Sequence, residues 1–130
     1  MKTIVDSPRA PKAVGPYRQA IKVQGFIFCS GQVGLDPVTN TMVSGGIQEQ
    51  TQQVMENLKA VLEAAGSNFA KVVKATCYLS DMNNYNVFNE VYGSFFPDDP
   101  PARETVQVAR LPKDALVEVS VIAVEEGVRV

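Results

Sequence analysis

The chain of 130 residues contains no histidine. Without an imidazole, the Ser/His and Cys/His nucleophile arrangements are excluded, along with most zinc sites. Acid–base chemistry is left to carboxylates, Tyr, Lys, Cys or ordered water. Cysteine is scarce as well: Cys29 and Cys77 are far apart, lie in apolar strand patterns and match no metal or redox spacing, so two buried thiols in a reducing compartment are expected. No long run of one charge sign occurs. Twelve basic and fourteen acidic residues leave a net charge of −2, which argues against a dedicated nucleic-acid or anionic-membrane surface. The Met1-Lys2-Thr3-Ile4-Val5-Asp6 start lacks the apolar core of a signal peptide, and no stretch has the apolar length of a membrane span. The expectation is a soluble, cytoplasmic protein that uses neither membrane nor nucleic acid. There is no internal repeat and no low-complexity tract.

What is present is enough apolar sequence, 45% of residues with 20% charged, for one globular domain over residues 1–130. Pro8, Pro11 and Pro16 keep the first stretch extended or irregular, and Gly15-Pro16-Tyr17 forms a rigid corner that holds a tyrosine ring. Ala20 to Val23 and Phe26 to Ser30 flank Gln24-Gly25 as a hairpin. Ser30-Gly31-Gln32 ends its second strand with a glycine, which either lets a backbone or ligand approach closely or marks a bulge. After Gly45-Gly46, the residues Ile47, Thr51, Val54, Leu58, Val61, Leu62 and Ala65 recur at helical spacing, and Gly66 stops the helix. Val72 to Leu79 reads as a strand with Val73, Ala75, Cys77 and Leu79 on one face. Asn83 or Asn84 can cap a second helix with an inward stripe of Tyr85, Phe88, Tyr92, Phe95 and Phe96. The pattern predicts an α+β fold: one mixed sheet with two helices packed on one face, and an uncovered face that meets other subunits.

The last third carries the candidate chemistry. Ala102 to Val108 alternates in character, with Arg103, Thr105 and Gln107 on one face, and Leu116 to Val124 is a Val-rich strand interrupted by Glu118. If Leu111-Pro112-Lys113-Asp114 closes an antiparallel hairpin with Ala109 opposite Asp114, Thr105 falls opposite Glu118 and Arg103 opposite Ser120, all on one face. Two readings of that Arg and Glu stay open. They form a structural ion pair or two rim charges, or Arg103 grips a substrate carboxylate through its planar fork while Glu118 handles a proton or a water.

The combination of Gly15-Pro16-Tyr17, Ser30-Gly31-Gln32, Asn89-Glu90-Val91-Tyr92, Pro101-Ala102-Arg103 and Val108-Ala109-Arg110-Leu111-Pro112-Lys113-Asp114 closely resembles the reactive intermediate deaminase A (RidA) family, also called the YjgF or L-PSP group. The resemblance spans nearly the whole chain, in order. It implies a chorismate-mutase-like fold in a homotrimer, with sheets around a central barrel, helices outside and three sites in clefts between subunits. It also implies hydrolysis of enamine and imine acids such as 2-iminobutanoate and 2-iminopropanoate to 2-keto acids and ammonia. Carried over by position, Arg103 binds the carboxylate and Glu118 positions or activates the water. Tyr17, the backbone around Gly31, and Asn89 line the pocket, and Thr105 presents a hydroxyl to it. Where many relatives have Ser-Cys or a similarly small pair after the arginine, this chain has Glu104-Thr105, which bears on substrate range.

That chemistry fits the residue inventory, because an imine of a 2-keto acid is already electrophilic. The protein need only fix the carboxylate, direct water at the imine carbon and manage one proton, with no cofactor or metal. A different class of function uses the same pocket: a non-catalytic trimeric module that binds small carboxylates. An RNA-cleaving role, a label attached to parts of the family, fits the acidic balance and the missing histidine least.

Overall fold

Residues 1–128 are described in the computed structural model of the chain. The frame is a six-stranded sheet of β1 (Thr3–Val5), β2 (Ala20–Val23), β3 (Phe26–Cys29), β4 (Val72–Leu79), β5 (Ala102–Gln107) and β6 (Val117–Val124), in the order β1-β2-β3-β6-β4-β5. Helices α1 (Ile47–Ala64) and α2 (Tyr85–Gly93) cover one face of it. This is the α+β, chorismate-mutase-like arrangement that the pattern and the resemblance led us to expect. The β2–β3 turn holds Gln24 and Gly25 both at positive φ, 50° and 83°, the conformation that matches the twist of a two-residue hairpin.

Helix α1 is closed at its start by Glu49, whose Oε1 accepts from the Gly46 amide at 2.8 Å. Its end is set by Gly66 at φ 81°, with the Ser67 amide donating back to the Leu62 carbonyl at 2.9 Å. Three polar residues, Gln50, Thr51 and Asn57, lie in its buried stripe, and two of them bind backbone outside the helix. Asn57 donates to the Leu35 carbonyl at 2.9 Å, and Gln50 Oε1 accepts from the Leu116 amide at 2.8 Å. Both side chains tie connecting segments to the helix, satisfying backbone groups that would otherwise be buried unpaired. Asn84 takes the N-cap position of α2, as one of the two expected residues, but makes no side-chain cap hydrogen bond. The side-chain cap lies one turn earlier, where Asp81 Oδ1 accepts from the Asn83 amide at 2.9 Å and opens a single 3₁₀ turn that leads into α2.

Two expectations about the strands are corrected. Strands β5 and β6 do not form a hairpin, because β4 lies between them, paired antiparallel with β6 and parallel with β5. Arg103 therefore stands beside Ala75 and Thr105 beside Cys77, whereas Glu118 stands beside Tyr78. Paired residues share a face, so Arg103 and Thr105 point with Ala75, Cys77, Val119 and Val121 toward the helices, and Glu118 points to the opposite, open face. The second correction is at the start of β4, where a register shift between Val72 and Lys74 makes a bulge. Val72 is buried and Val73 is 40% exposed, the reverse of strict alternation.

The core lies between sheet and helices and contains Val54, Leu58, Leu62, Phe88, Cys77, Val117, Val119 and Val121. Among the described residues no helix covers the other face. Along it Ile4, Phe26, Phe28 and Val106 are each more than 40% exposed, and Ile21, Ile122 and Tyr78 are half-buried.

The bulge sets opposite outcomes for neighbouring substitutions. Val72→Ala is expected to cost about 2 kcal/mol through lost burial. Val73→Ala, on the exposed side, is expected to cost less than about 1 kcal/mol. Urea unfolding of the two variants beside the parent measures both.

Candidate functional site

Arg103 lies on the edge strand β5 with its side chain folded under α2. Its Nη1 donates to Asn89 Oδ1 at 2.8 Å and its Nη2 to the Tyr85 phenol oxygen at 2.9 Å. The guanidinium carbon is 4.9 Å from the Tyr92 ring centroid and 5.6 Å from those of Tyr85 and Phe88. Spacings of three and four residues place Tyr85, Phe88, Asn89 and Tyr92 on one face of α2, so a single helical stripe supplies both the hydrogen-bond acceptors and the π faces. Among the described residues no carboxylate pairs with Arg103. A part-buried cation is thus fixed in orientation by neutral groups, and its charge is left uncancelled.

Thr105 follows Arg103 on the same face; apart from the adjacent Cys77 thiol its buried hydroxyl has no hydrogen-bond partner among the described residues, and neither has the hydroxyl of Tyr92. Cys77 lies beside Thr105 in the next strand. Burial pushes the Cys77 thiol up to about 11, with the Arg103 charge opposing it, and burial alone pushes the Cys29 thiol up to about 12. Both remain protonated near neutral pH, the state of structural thiols rather than nucleophiles. Glu104 points the other way, to the open face, where its Oε1 meets Lys74 Nζ at 2.7 Å. The acid next to the arginine in sequence is therefore absent from the arginine's surroundings.

On the open face, Glu118 sits directly over Gly31. A Cβ added at position 31 would stand 2.8 Å from Glu118 Cδ and 3.0 Å from Cγ, closer than carbon atoms approach. Gly31 is needed for that space, since its φ is not positive. What approaches the glycine closely is this carboxylate. The segment is held in place by paired hydrogen bonds between Gln32 and Val119, 2.9 and 3.1 Å long. Glu118 is half-buried and has no ion-pair partner among the described residues, and desolvation raises its pKa above the ordinary carboxylate value.

Tyr17 stands at the edge of the same face. Its amide donates to the Gly15 carbonyl at 2.9 Å, its ring lies against Gly15, and its hydroxyl accepts from the Val14 amide at 3.4 Å. The ring lines an open hollow of about 950 Å³ that extends past Phe28 to Ser30, the neighbour of Gly31.

The structure thus sorts the expected residues into two groups. Arg103, Asn89 and Thr105 meet on the helix face at the β5 edge; Glu118 and Gly31 meet on the open face, with Tyr17 apart from them at its edge. Within one chain the two groups do not share a cleft, because β4 inserts between their strands and offsets their alternation. Sequence reasoning placed Tyr85 in the core stripe and did not assign it to the site. The available signal was a phenol hydroxyl four residues before Asn89, on the same helical face.

A chorismate-mutase-like α+β sheet with a cation held unneutralised at its edge defines the structural class. The family model described as Endoribonuclease L-PSP matches residues 7–125, and the chain belongs to this family, the YjgF/RidA group. A RutC family protein from Pyrococcus horikoshii is 50% identical over 97% of this chain and 100% of its own length. The human 2-iminobutanoate/2-iminopropanoate deaminase is 41% identical over 96% of this chain and 91% of its own. A Yersinia pestis structure described as a protein of unknown function of the conserved Rid family superposes with a TM-score of 0.93 at 42% identity, covering 95% of this chain and 99% of that one.

The raised pKa of Glu118 bears on stability. Its folded pKa lies above the unfolded value, so protonation favours the native state: the contribution is fully present below the unfolded pKa and is lost as pH rises through the folded one. Glu118→Gln is therefore expected to unfold at a higher temperature than the parent at pH 7. The gap should close as pH falls to about 4, the ordinary carboxylate range. Thermal unfolding of both proteins across that range checks it.

Proposed function

We propose that the chain hydrolyses reactive enamine and imine acids, 2-iminobutanoate and 2-iminopropanoate among them, to 2-keto acids and ammonia. The observation that carries this reading is Arg103, a part-buried guanidinium with neutral partners and no resident carboxylate. A planar fork held in this way suits a ligand carboxylate, and fixing that group leaves the imine carbon in a defined place. Water adds to the imine carbon as Glu118 takes one of its protons and passes it to the imine nitrogen, giving a neutral amino alcohol. Glu118 then takes the hydroxyl proton and delivers it to the same nitrogen as the C–N bond breaks, so both water protons end on ammonia. Water and imine become keto acid and ammonia, with no redox change. The raised pKa of Glu118 suits a group that must both accept and return that proton.

Arg103 and Glu118 occupy opposite faces of one sheet, so on this reading they meet only across two copies of the chain. The β5 edge and α2 of one protomer face the open sheet of its neighbour, and a trimer provides three such clefts. The apolar residues of the open face, Ile4, Phe26, Phe28 and Val106, support an assembled state. Asn89 and Thr105 line the arginine side of each cleft, Tyr17 and Gly31 the carboxylate side. Buried free thiols suit a reducing compartment, and we take the protein to be cytoplasmic. The net charge of −2 and the lack of histidine give little support to the RNA-cleaving activity in the family description.

Static light scattering is expected to give about three times the 14.1 kDa chain mass; a monomer would remove the shared site. Ammonia release from an imine generated in situ by a threonine dehydratase tests the chemistry. Arg103→Lys keeps the charge but not the fork, and should lose well over tenfold in turnover while remaining assembled. Glu118→Gln should keep 2-ketobutanoate binding and lose hydrolysis. Full activity in Arg103→Lys would return Arg103 to a structural role.

A further inference from the structure

The Tyr85 hydroxyl is a polar group at the arginine whose hydrogen-bonding capacity is half used. Its oxygen accepts from Arg103 Nη2 at 2.9 Å, but among the described residues nothing accepts its own proton. Asn89 also accepts from the arginine through its oxygen, and its amide N–H groups likewise have no acceptor among the described residues. The phenol differs in carrying donor and acceptor on one atom, so the cation acts directly on the O–H. A phenol whose lone pair is taken by a cation is polarised toward donation, and an acceptor in contact with that cation lies within reach of the O–H. The ring has little freedom to carry the hydroxyl elsewhere: it is half-buried on α2 and its centroid is 5.6 Å from the guanidinium carbon, in the cluster with Phe88 and Tyr92.

We propose that Tyr85 is a substrate-binding residue: its hydroxyl donates to the same ligand carboxylate that Arg103 holds. The Arg103–Tyr85 pair then forms a three-point anchor, with two guanidinium N–H groups and one phenol O–H meeting the two carboxylate oxygens. The oxygens offer about four lone-pair sites, so all three donors are accommodated. The anchor contacts a group that does not change during hydrolysis, so Tyr85 contributes equally to ground state and transition state and acts on KM rather than kcat. The inference rests on Arg103 being the carboxylate site of the proposed function.

Tyr85→Phe removes only the hydroxyl and keeps the ring, so the packing around Phe88 and Tyr92 survives. Calorimetric titration of 2-ketobutanoate into the parent, Tyr85→Phe and Arg103→Ala is the test, with mass and unfolding temperature measured for each. The expected result is a loss of about tenfold or more in affinity for Tyr85→Phe, the effect of one hydrogen bond to a charged group. Imine turnover should show a matching rise in KM with kcat within about twofold. A purely structural role for the hydroxyl would instead lower the unfolding temperature and leave the affinity of the folded protein unchanged. Affinity in Tyr85→Phe within about twofold of the parent, while Arg103→Ala abolishes binding, overturns this inference and leaves the arginine anchor standing. Unchanged binding in Arg103→Ala, or none in the parent, overturns both.

Discussion

The placement of β4 between β5 and β6 is the constraint on which the rest depends. Its antiparallel pairing with β6 and parallel pairing with β5 send Arg103 under α2 and Glu118 out onto the open face. The parallel pairing requires a crossover, and α2 provides it. The same helix then brings Tyr85, Asn89 and Tyr92 over the arginine. Strand order, crossover and the surroundings of the cation follow from one topological choice.

The two faces of the sheet are chemically unlike. The helix face is filled by aliphatic side chains and α2 aromatics, so a cation there is sheltered from water and strengthened as an electrostatic partner. On the open face, Glu118 is only partly desolvated and lies over the one residue type that leaves it room. Positions 31 and 118 are therefore coupled: any side chain larger than hydrogen at 31 displaces the carboxylate.

Much of the element list was legible in the sequence because it rests on short-range periodicity. The boundaries of α1 and β4, the presence of α2, the Gln24-Gly25 turn and the burial of Phe88, Tyr92 and Phe96 all follow from spacing and turn chemistry; the end of α2 at Gly93, before Phe95 and Phe96 of the expected stripe, does not. Pairing was not legible. The segment from Val108 to Leu116 suits a hairpin loop as well as a longer connection, and nothing local to it reveals that β4 takes the intervening place. Alternation put Arg103 and Thr105 on a common face correctly, since that is a property of one strand. It could not relate them to Glu118, since that is a property of two. The Val72/Val73 reversal has a similar origin: a bulge adds one residue to the count and leaves no mark in composition. Tyr85 reads as one of the core aromatics because a stripe of rings reads as packing, and its hydroxyl acquires meaning only once Arg103 is known to lie beneath it.

The neutrality of the arginine's surroundings has a consequence for selectivity. A cation whose resident neighbours are an amide, a phenol and three rings has no internal counterion to displace, so the entering anion meets no competitor and the attraction depends on its charge alone. Discrimination between ligands must then come from groups other than the arginine's own neighbours; in the proposed assembly these include the open hollow beside Tyr17, which sets few steric limits. A binding centre of this kind is generic toward anions: it recognises the charge that they share and is indifferent to what distinguishes them.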